Sequence, residues 1–109
     1  SNKSEGVISA TYVAQKEMER MYEFSKMVPI TKIEDSNDFD YTKIETDGEW
    51  TVYKKEEEHY DIRLKIKKLA TEENENIGLV HVFIEIHDLS TDKLETEMEN
   101  FLDWKEDES

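Results

Sequence analysis

There is no cysteine in this chain. That excludes disulfides and zinc–thiolate sites, and it is compatible with a surface location without revealing the compartment. The glycines number three, Gly6, Gly48 and Gly78, and lie too far apart for a phosphate-cradling loop. No G-x-S-x-G or other nucleophile motif is present. No signal peptide and no apolar run long enough to span a bilayer occurs. Positive charge is also scarce. Fourteen Lys and Arg face 28 Asp and Glu, for a formal net charge of −14. Nucleic acid is bound by Lys and Arg against phosphate, so no direct nucleic-acid partner is expected. The one basic cluster is Arg63, Lys65, Lys67 and Lys68. Arg63, Lys65 and Lys67 alternate along a single strand and read as a solvated sheet face that balances nearby acids.

What is present is enough for a folded domain. Ser1 and Asn2 read as the remnant of a cleaved tag, which leaves residues 3–109 as one domain. A chain of this length buries about two thirds of its unfolded surface, sufficient for one core. The domain is organised around residues 7–28, VISATYVAQKEMERMYEFSKMV. At 100° per residue, Val7, Ala10, Val13, Ala14, Met18, Met21, Phe24 and Val28 fall on one arc, and Gln15, Lys16, Glu19, Arg20, Glu23 and Lys26 on the other. Nothing inside this stretch breaks a helix, and Pro29 ends it. Such a helix is about 30 Å long, roughly the span of the whole domain.

Two positions disturb the pattern. Glu17 falls inside the apolar arc, where it reaches water or Arg20 near an edge, or else a sheet cation such as Arg63 or Lys65. Ile8 and Tyr12 lie on the polar side, four apart, and make a small sticky patch. Either this patch meets another molecule or it folds back on the acidic segment that follows Pro29.

After Pro29 the chain reads as a long acidic loop to Glu49, pinned by Ile30, Phe39, Tyr41 and Ile44, with one short strand around Tyr41 to Glu45. Asp47-Gly48 is a turn signal. The period then switches to two. Trp50 and Val52 share one side. Tyr60, Ile62, Leu64 and Ile66 alternate with Asp61, Arg63, Lys65 and Lys67. Val80, Val82, Ile84 and Ile86 alternate with Leu79, His81, Phe83, Glu85 and His87. Residues 71–76 read as a polar loop. Residues 93–104 fit a helix through Leu94, Met98, Phe101 and Leu102. They fit a strand through Leu94, Thr96, Met98, Leu102 and Trp104. The fold class that follows is α+β, a long N-terminal helix packed on a three- to four-stranded antiparallel meander, with the helix as the sheet's one cover.

No metal, cofactor or catalytic centre is expected. His81 and His87 share a face, but six residues of strand separate them by about 20 Å. Glu85 and His87 would need help from another strand, such as His59. The run from Asp35 to Asp40 has the look of a calcium loop. An EF-hand would place an oxygen ligand at Phe39, glycine at Asp40 and glutamate at Thr46. One helix on a small sheet also leaves little room for a concave pocket.

Three stretches carry a family resemblance. Tyr12 to Glu19 followed by Met21-Tyr22 resembles the surface-side half of the N-terminal helix of type IV pilin-like proteins. Leu79 to Asp88, and Leu94 to Trp104 with its EMENFLDW ending, are similar to the last two strands of minor pilins and pseudopilins of Gram-positive bacteria. The resemblance implies a structural subunit of a surface filament or of a secretion or DNA-uptake apparatus. It implies other pilin-like subunits as partners. It also implies an upstream apolar helix that anchors the protein in the plasma membrane before assembly. Ile8 and Tyr12 would then be subunit contacts. The alternative is that a helix followed by a meander also describes cystatin-like secreted or lipoprotein domains that bind a protein or small ligand.

Overall fold

A computed structural model describes residues 2–69 and 78–107, with side chains from residue 9 onward. The loop expected over 71–76 and the side chain of Ile8 lie outside the described residues. Helix α1 spans Asn2–Met27. Val28 donates the closing hydrogen bond to the Phe24 carbonyl, and Pro29 turns the chain to an extended ψ of 148°. A 3-10 helix over Ile30–Asp35 follows, then strands β1 (Thr42–Asp47), β2 (Trp50–Glu57), β3 (Tyr60–Lys68), β4 (Leu79–Asp88) and β5 (Leu94–Asp103).

The five strands form one antiparallel sheet in chain order. Short links between successive strands produce that meander. β1 turns into β2 through Gly48 and Glu49, since Asp47 pairs with Trp50. Gly48 sits at φ +62°, where a missing Cβ removes the steric penalty. β2 turns into β3 through Glu58 and His59, and here the left-handed position, φ +55°, falls on Glu58. The β4–β5 turn is tied by the Asp88 carboxylate, which accepts the backbone N–H groups of Ser90 and Thr91 at 2.9 Å each.

α+β architecture, with one helix on an antiparallel sheet, is what the patterning predicts. Two details differ. The sheet has five strands rather than three to four. Both doubtful segments are strands, 42–47 beside β2 and 94–103 beside β4. The helical part that covers the sheet is also short. Its buried side chains run from Ala10 to Ser25, and it lies mainly on β5 and β4. The rest of the inner face is covered by the segment after Pro29. Ile33, Phe39 and Tyr41 are buried there and join the same core. Phe39 packs edge-on against Phe24 at 5.9 Å and against Tyr53 at 5.1 Å. The acidic loop is therefore a second cover, which its charge conceals in the sequence. Ile44, expected among its anchors, is instead 45% exposed beside the β1 bulge.

The core itself follows the alternation. Val13, Met21 and Phe24 meet Ile62, Leu64, Ile66, Val82, Ile84 and Ile86 in one cluster. Trp104 closes its lower end, with its indole N–H donating to the Val28 carbonyl at 2.7 Å. Lys105 then donates its backbone N–H to the Ser25 carbonyl, so the C-terminal segment clamps the end of α1.

Candidate functional site

Three arrangements put reactive or adhesive groups together. The first lies under the helix. Glu17 is 1% exposed. Its Oε1 accepts from Lys55 Nζ at 2.7 Å, Tyr41 Oη at 2.8 Å and Arg20 at 2.9 Å. Asp40 bridges the same two cations from outside, at 3.0 Å from Arg20 and 3.1 Å from Lys55. The sheet partner of Glu17 is thus Lys55, on the inner face of β2. Arg63 and Lys65 point from the opposite face. Burial and the Glu17 charge push the Tyr41 phenol well above its ordinary pKa. Burial pushes Asp40 up, but its hydrogen bonds to Arg20 and Lys55 outweigh that and hold it below the usual carboxylate range. Every group in the cluster is engaged by another, so it fixes the loop to the helix and leaves no free base or nucleophile. Within the run from Asp35 to Asp40, the Asp40 carboxylate and the Asp38 carbonyl accept from Arg20.

The second is the sheet face away from the helix. Register sets Asp47 beside Trp50, and His81 between Lys67 and Phe101. His81 stacks on Phe101 at 4.2 Å and contacts Trp50 at 4.9 Å, while the Lys67 ammonium sits 5.7 Å from the Trp50 ring. Several ionisable groups of this face are paired, and His81 Nε2 lies 3.0 Å from Glu99. Arg63 holds Asp61 at 3.2 Å, Lys65 holds Glu85 at 3.1 Å, and Lys67 holds Glu49 at 3.3 Å. His87 sits 3.0 Å from Glu85. Burial raises the Glu85 carboxyl, but its hydrogen bonds to His87 and Lys65 win and lower it. His81 and His87 stand apart in separate contacts, and His59 packs on Tyr60. Among the described residues no three His, Asp or Glu converge as a metal set.

The third is the outer face of α1. Tyr12 is 66% exposed and Tyr22 53%. They share this face with exposed Gln15, Glu19 and Lys26, and Lys26 lies 5.0 Å from the Tyr22 ring. The backbone places Ile8 one turn before Tyr12 on the same face. Tyr22 was not singled out by the sequence pattern, although it falls in the polar arc and is large for such a position. No described helix is long and apolar enough to cross a membrane. A cavity of about 370 Å³ lies at the end of the sheet beside Ile30, Leu69, Leu79 and Trp104, with Lys68, Lys105, Glu106 and Asp107 also in its wall.

No family model, no curated protein and no solved structure matches the chain.

Proposed function

We propose that this domain is the head of a pilin-like structural subunit, a minor pilin or pseudopilin, that joins other subunits through the outer face of α1. The observation that carries the reading is the pair of exposed tyrosines on a helix face turned away from its own sheet. A helix that packs only on its inner arc gains nothing for the fold from Tyr12 and Tyr22. Aromatic side chains standing on a helix face are typical anchors of protein–protein contact. Ile8 and Tyr12 are the subunit contacts on this reading. The role is non-catalytic and extracytoplasmic, with plasma-membrane anchoring by an apolar helix before assembly. Direct nucleic-acid binding is not part of it, since the basic residues of β3 are matched by acids.

The test is incorporation of the full-length gene product into filaments of its own host. Ile8→Asp with Tyr12→Asp should abolish incorporation while leaving the melting temperature of the isolated head nearly unchanged. Normal incorporation of the double variant would refute the contact. A second reading, a cystatin-like binding domain of a secreted protein or lipoprotein, draws on the open far face of the five-stranded sheet. A lipid-attachment cysteine upstream in the gene, in place of a leader and an apolar span, would favour it.

A further inference from the structure

β5 ends the sheet, and among the described residues no strand pairs with its outer side. The direction of its free groups follows from one bond. Trp104 donates its N–H inward to the Gly78 carbonyl at 2.7 Å. Backbone direction alternates along a strand, so the amides of Asp103, Phe101, Glu99 and Glu97 point outward. Phe101 confirms the parity, because its N–H is taken at 2.9 Å by the side chain of Asn100 rather than by β4. The four residues with outward backbones also place their side chains on the open face of the sheet.

We infer that this edge receives an extended, basic segment of a partner protein, which adds as a sixth strand beside β5. Three observations select that occupant. The strand LETEMENFLD carries Glu95, Glu97, Glu99 and Asp103 and no Lys or Arg. Phe101 is 52% exposed and terminates the Trp50–His81–Phe101 row, so a planar group on the added strand would extend the stack. A second copy of this chain is disfavoured by charge. Its β5 would set glutamate against glutamate. Its β1 edge is acidic at Glu45 and Asp47 and broken by a bulge. Strand addition combines main-chain hydrogen bonds with alternate side-chain contacts, and opposite charges directly across a pair are favourable. The Asn100 side chain shields one outward amide in the unbound state, in keeping with the way exposed edges are protected. This inference is independent of the role given to the helix.

The probe is a synthetic peptide of about ten residues that alternates Lys or Arg with Thr, titrated into the isotope-labelled domain. Its controls are the same peptide N-methylated at alternate residues and an acidic version with Glu for each basic residue. The expected result is saturable binding, amide shifts confined to 94–103 and their sheet neighbours, and slowed exchange of the Glu97, Glu99 and Phe101 amides. The N-methylated peptide should bind roughly tenfold more weakly, since it keeps the charge and loses the backbone donors. Glu97→Lys with Asp103→Lys, both at exposed positions, should weaken the basic peptide by a similar factor. Equal binding of the N-methylated peptide, shifts centred on β1 or the helix, or no saturable binding would each overturn the proposal.

Discussion

Replacing Glu17 by Gln tests how the helix is locked to the loop and to β2. The Glu17 side chain is 1% exposed and that of Lys55 only 10%. Amide for carboxylate keeps the shape and removes the charge that faces Lys55, Arg20 and the Tyr41 hydroxyl. Breaking a buried ion pair by removing one partner costs about 3–5 kcal/mol, because the other charge stays desolvated. Asp40 still sits 3.1 Å from Lys55 and 3.0 Å from Arg20, and it compensates part of that loss. The expected destabilisation is therefore about 2–4 kcal/mol. The companion variant removes every buried polar partner at once: Glu17→Met, Tyr41→Phe and Lys55→Met. Arg20 keeps Asp40 and the Asp38 carbonyl there, so no charge is stranded. This triple variant should lie within about 1 kcal/mol of wild type, since an apolar replacement of a whole buried pair is often neutral. Denaturant unfolding followed by far-ultraviolet circular dichroism at neutral pH measures both. A loss below about 1 kcal/mol for Glu17→Gln would mean that the carboxylate is not desolvated as its contacts imply. A triple variant as unstable as the single one would show that the cluster contributes net stability rather than register.

Other outcomes follow from single features. Met21→Ala, at a fully buried site, should lose about 2–5 kcal/mol in the same assay. Glu58→Gly should raise stability by about 0.5–1 kcal/mol by relieving the left-handed backbone, whereas Glu58→Val should lower the melting temperature. Tyr53 is pushed up to about 12 by burial and then by the nearby Glu34 carboxylate. The folded state therefore holds the phenol proton more tightly than the unfolded chain, whose tyrosines ionise near 10. That stabilisation is complete below pH 10 and is lost as pH rises toward 12. Midpoints of denaturant unfolding should fall over that interval in wild type and fall less in Tyr53→Phe.

The helix and the sheet core were legible because their signals are periodic. Val13, Met21 and Phe24 recur at helical spacing, Ile62, Leu64 and Ile66 at spacing two, and the two faces have to meet. What escaped the sequence has a different cause in each case. Residues 94–103 carry apolar positions that satisfy both periods, and pairing with β4 decides between them. Glu17 announced itself as misplaced on the apolar arc, but its partner depends on which face of β2 Lys55 occupies, and that is set by strand register. The 30–41 segment reads as a loop pinned at Ile30, Phe39 and Tyr41, but its charges outnumber those anchors and hide how much of the sheet it covers. Ile33, Phe39 and Tyr41 are buried in the same core, with Asp40 neutralised by two cations. Of the proposed contact pair, Tyr12 is exposed on the outer face of α1.

The distribution of charge separates the two interaction surfaces physically. An antiparallel sheet tolerates one solvated face. Here that face is laced by Arg63 with Asp61, Lys65 with Glu85, and Lys67 with Glu49. Such half-exposed pairs contribute little stability each, yet they neutralise the centre of the sheet. Acid that these pairs do not match stands at its margins: Glu45 and Asp47 on β1, and Glu95, Glu97 and Asp103 on β5. A partner on the β5 edge meets exposed acid and outward-facing backbone, so its affinity must fall as salt shortens the range of exposed charges, about 10 Å at 0.1 M. A partner on the tyrosine face of α1 buries aromatic surface, and that attraction is held or strengthened by salts excluded from the protein surface. Raising ionic strength should therefore release a basic peptide from β5 while leaving subunit contacts through Tyr12 intact. Loss of both together would mean that the helix contact is electrostatic, and that its aromatic residues are not the anchors their exposure implies.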